Sequence, residues 1–325
     1  MTRLLDVTGL SVHFAGPRRG WRRPPSVQAL NEVSLHVDAG EVLGVVGESG
    51  SGKTTLGRAI LGLTQPTGGT VHFDGEAVIG ASATRMRAIR GRMQAVFQDP
   101  TSSLNPTMTI GAAIGEALAL HKVGTRADRA QRVAALLERV GLPASAAAKY
   151  PRALSGGQRQ RVGIARALAV GPELIVADEA VSALDVSVQA GIINLLSDLR
   201  AELGLALMFV SHDLALVRYF CDRVIVLYLG RVMEVGSVDD IFAQPRHPYT
   251  RALLDAVPQI GAAPRDPATM LAGELPSPLA PPSGCVFRTR CPHAIPRCAE
   301  RVPPLEGPIE GHRAACIRQH ELALS

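Results

Sequence analysis

Short apolar runs punctuate the chain at Val42–Val46, Met93–Phe97, Leu174–Asp178, Ala206–Val210 and Val224–Tyr228. Their richness in Val, Ile and Leu and their brevity fit strands buried on both faces. A different period governs Val186–Leu203, where Val188, Ile192, Leu195, Leu196, Leu199 and Leu203 recur at helical spacing. That segment reads as an amphipathic helix. Ser211–Cys221 reads as a helix-like connector between the last two strands. Thr125 is expected to cap a helix with Val133, Leu136, Leu137 and Val140 on one stripe and Gly141 as its stop. The stretch from about residue 101 to 170 therefore reads as mainly helical, and the alternation of strands and helices argues for an α/β fold.

Punctuation and composition refine this picture. Gly16–Ser26, GPRRGWRRPPS, reads as a loop interrupting an N-terminal antiparallel β region. Beyond about Pro258 the chain turns to Pro, Ala and Gly, so two parts are expected: a domain over 1–257 and a C-terminal extension over 258–325, wrapped as a tail without a large core of its own. With 46% hydrophobic and 19% charged residues, the 325-residue chain has ample material for a packed core, which excludes general disorder. The net charge of +5 is carried mostly by scattered arginines, since the lysines are Lys53, Lys122 and Lys149; this fits a solvated surface better than a nucleic-acid footprint. Neither a signal-peptide pattern nor an apolar run of membrane-spanning length is seen, so a soluble, intracellular chain with reduced cysteines is expected.

The first candidate chemistry follows the strand Val42–Val46. The loop GESGSGKT, Gly47–Thr54, leads into a helix-compatible run, which is G-x-x-x-x-G-K-T in its strand–loop–helix context. Backbone N–H groups of such a loop curl around phosphate oxygens, the helix N-terminus adds partial positive charge, Lys53 reaches the β and γ phosphates, and Thr54 offers Mg²⁺ a hydroxyl. Gly47, Glu48, Ser49, Gly50, Ser51, Gly52, Lys53, Thr54 and Thr55 are thus expected to hold nucleotide. Asp178 ends the apolar run LIVAD as a candidate magnesium ligand, and Glu179 beside it is a candidate general base for an attacking water.

Further motifs stand in fixed order: Gln98 in VFQDP, LSGGQRQR over Leu154–Arg161, DEAVSALD over Asp178–Asp185, and His212 in LMFVSHD. With these the chain resembles the nucleotide-binding subunits of ABC transporters over roughly residues 1–250. The resemblance implies a P-loop NTPase core of ABC type, with a helical signature subdomain over about 101–170. It also implies two such domains pairing head to tail around ATP. Ser155, Gly156, Gly157 and Gln158 would then face the partner's ATP. Gln98 resembles the glutamine near Mg²⁺ and the water, His212 the switch histidine, and Asp185 the residue linking the two sites. Phe14 resembles the aromatic that stacks adenine, with Trp21 as its rival. Ala180 departs from the proline common in related chains.

The segments RHPYTRALL, Arg246–Leu254, and GELPSPLAPPSGCVFRTRCP, Gly273–Pro292, resemble the tail of oligopeptide and dipeptide importer ATPases, most of all the second ATPase of dipeptide systems. This implies import of peptides, with nickel or glutathione as alternative cargoes. It also implies two transmembrane permease subunits, an extracytoplasmic substrate-binding protein, and a related but different ATPase as partner, with a homodimer as the lesser alternative. The chain would sit peripherally on the cytoplasmic face of the cell membrane. A soluble ABC ATPase acting on DNA or ribosomes is the rival class; the spacing of about a hundred residues between Lys53 and Ser155 leaves no room for the long coiled coils of repair members. Finally, Cys285, Cys291, Cys298 and Cys316 are spaced C-x5-C-x6-C-x17-C. No close C-x2-C zinc hook occurs; zinc and unliganded thiols stay open beside a [4Fe–4S] cluster, which members of the resembled group carry at a matching cysteine set. Cys221 reads as a buried apolar residue.

Overall fold

A computed structural model describes residues 3–15, 26–98, 104–257, 273–309, 311–322 and 324. The strands in chain order are β1 (Arg3–Ala15), β2 (Ser26–Asp38), β3 (Val42–Val46), β4 (Gly68–Phe73), β5 (Glu76–Ala77), β6 (Met93–Val96), β7 (Leu174–Asp178), β8 (Ala206–Val210), β9 (Arg223–Tyr228), β10 (Arg231–Ser237), β11 (Glu306–Ile309) and β12 (His312–Ala314). The helices are α1 (Lys53–Ile60), α2 (Ala83–Arg92), α3 (Ile110–Leu120), α4 (Arg129–Arg139), α5 (Gly156–Leu168), α6 (Val186–Leu203), α7 (Leu214–Phe220), α8 (Val238–Ala243) and α9 (Pro248–Asp255). These elements fall into two compact units.

The first unit comprises Met1–Leu4, Val37–Glu41 and Gly80–Val210. Its strands β6, β7 and β8 run parallel, with Ile175 opposite Gln94 on one side and Leu207 on the other. Every residue of β7 and β8 is buried, as their unbroken apolar runs require. Helix α6 covers the expected span and ends where Gly204 takes φ 64°. Helix α4 differs from expectation. It starts at Arg129 with Asp128 at its N-cap position, and Thr125 instead accepts a hydrogen bond from the Asp128 N–H, closing a turn ahead of the helix. The apolar stripe was legible; the start was not, because Thr125 and Asp128 both have cap chemistry three residues apart.

The second unit comprises Leu5–His36, Val42–Ile79 and Ser211–Ser325. One sheet has the order β2-β1-β4-β5, with β4 antiparallel to β1, in line with the expected N-terminal antiparallel region. The Gly16–Ser26 insert lies outside the described residues up to position 25, and Trp21 with it. In the other sheet β3 runs parallel to β9, followed by antiparallel β10, β12 and β11. The C-terminal extension therefore does more than wrap: β12 extends this sheet, and Val286 and Phe287 enter the core at 4% and 1% exposure. These short strands have no readable period, and the pairing of β12 to β10 is accompanied by a buried network. Glu234 on β10, wholly buried, meets His312 Nε2 at 2.7 Å and accepts the N–H groups of Arg246 and His247 at 2.7 and 2.9 Å. Cys221 is buried as expected, and a Cβ added to Gly44 would lie 3.0 Å from its Sγ. Among the described residues no helix is long and apolar enough to cross a membrane.

Candidate nucleotide-binding site

In the second unit, strand β3 delivers the chain into a loop that only glycine can follow at two points. Gly47 has φ 153° and Gly52 φ 105°. A Cβ on Gly47 would lie 2.2 Å from the Leu227 carbonyl oxygen, and one on Gly52 2.6 Å from that of Ala29. The loop is thus pressed against neighbouring backbone while its own amides curl. Lys53 opens α1 and is 4% exposed; its Nζ donates to the carbonyls of Gly47 and Glu48 at 2.8 and 3.0 Å. The ammonium is held inside the curve of the loop. Ser51 is fully buried, and its hydroxyl has no hydrogen-bond partner among the described residues. Thr54 stands exposed in the first turn of α1, with Thr55 half-buried beside it. Helix α1 is anchored through buried Leu56, Ala59 and Ile60, so the orientation of its N-terminus is fixed by packing.

Two residues that sequence reasoning did not single out hold this loop. The Glu48 N–H donates to Tyr249 Oη at 2.9 Å, and the Glu48 carboxylate forms a two-pronged pair with Arg290 at 2.6 and 3.0 Å. Tyr249 is buried, and burial is the main cause that pushes its hydroxyl pKa up, so it stays neutral. Also in this unit, His212 is exposed just before α7, whose N-terminus is capped by Asp213 accepting from Ala215 and Leu216. Phe14 lies near the end of β1 with 44% of its surface exposed, available for stacking.

In the first unit, Asp178 closes β7 and is 7% exposed, and Glu179 follows in the left-handed region at φ 47°. That conformation is costly for a non-glycine residue. It is held by the Glu179 N–H donating to Val210 O at 3.0 Å and by the Ser182 N–H and hydroxyl both donating to the Glu179 carbonyl. The backbone thus turns sharply at the half-buried carboxylate. Gln98 is exposed, two residues beyond β6. Of the stretch after it, DPTSSLNP, Asp99 to Ser103 lie outside the described residues.

The signature segment forms the start of α5. Ser155 is its N-cap, accepting from the Gln158 N–H, while the Gln158 side chain accepts the Ser155 N–H at 3.0 Å. This reciprocal capping box explains the Ser-x-x-Gln spacing and leaves an N-terminus without acidic residues in its first turn, an end suited to an anion. Gly156 and Gly157 let the start of α6 come close: a Cβ on Gly157 would meet Val188 Cγ1 at 2.5 Å. Asp185, exposed at the N-cap of α6, follows a loop that Gln189 pins by donating to the carbonyls of Val181 and Leu184.

Cys285, Cys291, Cys298 and Cys316 all line one cavity in the second unit, together with His247 and Phe287. Burial foremost, then neighbouring thiols, pushes the Cys285 thiol up to about 11 and that of Cys291 up to about 12; burial also raises that of Cys316. His247, fully buried, is pushed down to about 4 and stays neutral. Among the described residues, no group of three or more His, Cys, Asp or Glu side chains is placed to hold a metal ion.

Comparison with known proteins gives these features a context. The sequence pattern of the family described as ABC transporter matches residues 30–182, and that of the oligopeptide/dipeptide transporter C-terminal region matches 233–298. A Brucella ovis relative named as a peptide import ATP-binding protein is 53% identical over 98% of this chain and 99% of its own. The oligopeptide transport ATP-binding protein OppF of Escherichia coli is 48% identical over 97% of this chain and 96% of its own. Among solved structures, a dimeric ATP-binding cassette in a post-hydrolysis state with ADP and phosphate is 31% identical with a TM-score of 0.63, covering 72% of this chain and 98% of that one. The cbiO1 protein of Clostridium perfringens, part of an ABC transporter complex, gives 28% and 0.64 over 75% and 92%. The fold of these neighbours and the near-complete match to peptide-import ATPases place the chain in the ABC transporter family, within its peptide-importer ATP-binding branch.

Proposed function

We propose that this chain is the ATP-hydrolysing subunit of a peptide importer, working with permease subunits in the cell membrane and a peptide-binding protein outside it. The observation that carries the reading is the match of nearly the whole chain to OppF, together with the glycine-lined loop around the Lys53 ammonium. The buried Ser51 hydroxyl, which has no hydrogen-bond partner among the described residues, fits a loop shaped for a ligand. No helix among the described residues is long and apolar enough to cross a membrane, and permease subunits are the proposed route for the peptide. A related, different ATPase is the proposed second half of the head-to-tail pair, with association on the cytoplasmic face. Mild-detergent extraction of the native protein should recover two further membrane proteins and a second ATPase. Recovery of the chain alone or as a homodimer without membrane proteins would overturn the reading.

The roles follow residue by residue. The amides of Gly47–Lys53 and the N-terminus of α1 bind the β and γ phosphates, and Lys53 neutralises them. Phe14 stacks adenine. Thr54, Gln98 and Asp178 each offer the hard oxygen that Mg²⁺ takes, and the ion supplies charge neutralisation on the phosphates. Glu179 accepts the proton of the attacking water, and His212 contacts the γ-phosphate. Ser155, Gly156, Gly157 and Gln158 present the α5 N-terminus to the partner's nucleotide, and Asp185 links the two sites. ATP therefore completes an interface that hydrolysis releases.

A second reading concerns the cysteines. Because four thiols line one cavity, they are proposed to hold a [4Fe–4S] cluster once deprotonated, a role that four thiolates can fill. The cluster would cross-link a tail that has few core residues. Anaerobically purified protein should contain iron and inorganic sulfide and absorb in the visible, and Cys291→Ser should lose both. Metal-free, colourless protein that keeps a folded tail would contradict this.

A further inference from the structure

The phosphate loop carries an acid where its proposed ligand carries several negative charges. Glu48 is the second residue of the loop, and its carboxylate would repel a triphosphate unless compensated. The compensation comes from the C-terminal extension, 242 residues away. Arg290, whose side chain is 5% exposed against 27% for Glu48, places Nη1 2.6 Å from Oε2 and Nη2 3.0 Å from Oε1. This parallel, two-pronged geometry is the strong form of the carboxylate–guanidinium pair.

Arg290 is itself built in. Its N–H donates to the Phe287 carbonyl at 3.0 Å, its Nη1 reaches Tyr228 Oη at 3.4 Å, and its guanidinium lies 5.8 Å from the Tyr228 ring centre. Phe287 packs against Tyr228 and Tyr249, each at 5.3 Å between ring centres. Tyr249 in turn receives the Glu48 N–H. One aromatic cluster thus fixes both the cation that faces the Glu48 carboxylate and the hydroxyl that takes its backbone.

We propose that Arg290 is a positioning residue for nucleotide binding: it neutralises Glu48 and holds the phosphate loop open to an anion, which makes the C-terminal extension part of the nucleotide site. The proposal rests on the ATP-binding reading above. The full-length chain and four variants, Arg290→Gln, Arg290→Lys, Glu48→Gln and the double Glu48→Gln/Arg290→Gln, are compared by equilibrium binding of ATP and by kcat and KM. Arg290→Gln should weaken ATP binding roughly tenfold, the scale of one uncompensated charge near a protein surface, with the loss in KM and little in kcat. Arg290→Lys should fall between. Glu48→Gln should bind more tightly than the unaltered chain, and the double variant should recover most of the loss of Arg290→Gln.

That recovery separates charge compensation from a merely structural role, because a tail that had lost its anchor would not be mended by neutralising Glu48. A double variant binding as poorly as Arg290→Gln would overturn the proposal, as would Arg290→Gln binding normally. If Arg290→Gln does not fold, Glu48→Gln alone still decides: weaker binding than the unaltered chain is the contradicting result. Failure of the unaltered chain to bind ATP would instead sink the ATP-binding reading itself.

Discussion

Glu179→Gln is expected to bind ATP as the unaltered chain does, to hold the paired subunits closed, and to hydrolyse ATP about 10² to 10⁴ times more slowly, the range typical of losing a general base. The substitution keeps the shape and hydrogen-bonding capacity of the side chain and removes only its proton affinity. The backbone should tolerate it. Its φ of 47° is imposed by the bond to Val210 and by Ser182, neither of which involves the side chain carboxylate. The strain at this position is a reason to look for chemistry there, since a non-glycine residue in that region persists where the surroundings over-determine it. Single-turnover hydrolysis with nucleotide binding measured separately checks the result; near-normal turnover would remove Glu179 from the role of base.

Lys53→Ala should act on the earlier step, lowering ATP affinity by about one to two orders of magnitude, as expected from losing a charge-assisted contact to phosphate worth roughly 1.5–3 kcal/mol. Two losses combine. The ammonium is gone, and so are its bonds to the carbonyls of Gly47 and Glu48, which are then left facing the incoming anion. Lys53→Arg would keep the charge but not the fit, because a planar guanidinium is larger than the ammonium that the loop encloses at 4% exposure. Binding of a fluorescent nucleotide analogue, with melting temperature as a control for folding, distinguishes lost affinity from lost structure. Undiminished binding in Lys53→Ala would contradict the phosphate-loop account.

Much of the fold could be read because its determinants are local. Strands β3, β7 and β8 coincide with apolar runs, and α6 with a helical stripe ended by Gly204. The loop at Gly47–Thr54 was legible because a chemistry as specific as phosphate binding needs its glycines and lysine at fixed spacing. What stayed hidden depends on distant partners. The pairing of β12 with β10 is accompanied by a buried carboxylate, Glu234, whose partner His312 is 78 residues away. Arg290 lies within the tail segment Gly273–Pro292, yet nothing near it in the sequence points to Glu48. The N-cap of α5 is an intermediate case. Ser155 and Gln158 were expected to touch a partner's nucleotide, while the structure shows them first capping their own helix, a spacing that the sequence displays openly.

The cysteines mark where spacing stops being informative. Spacing picks out the four as a set, and the structure brings them to one cavity, where burial raises the thiols of Cys285, Cys291 and Cys316. The phosphate loop depends on the same C-terminal region through Arg290, so loss of order in the tail should be felt in ATP affinity.

The most direct test of the central reading is the ATPase rate of the purified membrane complex, measured with and without the extracytoplasmic binding protein loaded with peptide. The account predicts that the rate rises several-fold with peptide-loaded binding protein and that Glu179→Gln abolishes the rise. A rate indifferent to peptide, or unchanged by Glu179→Gln, would contradict it.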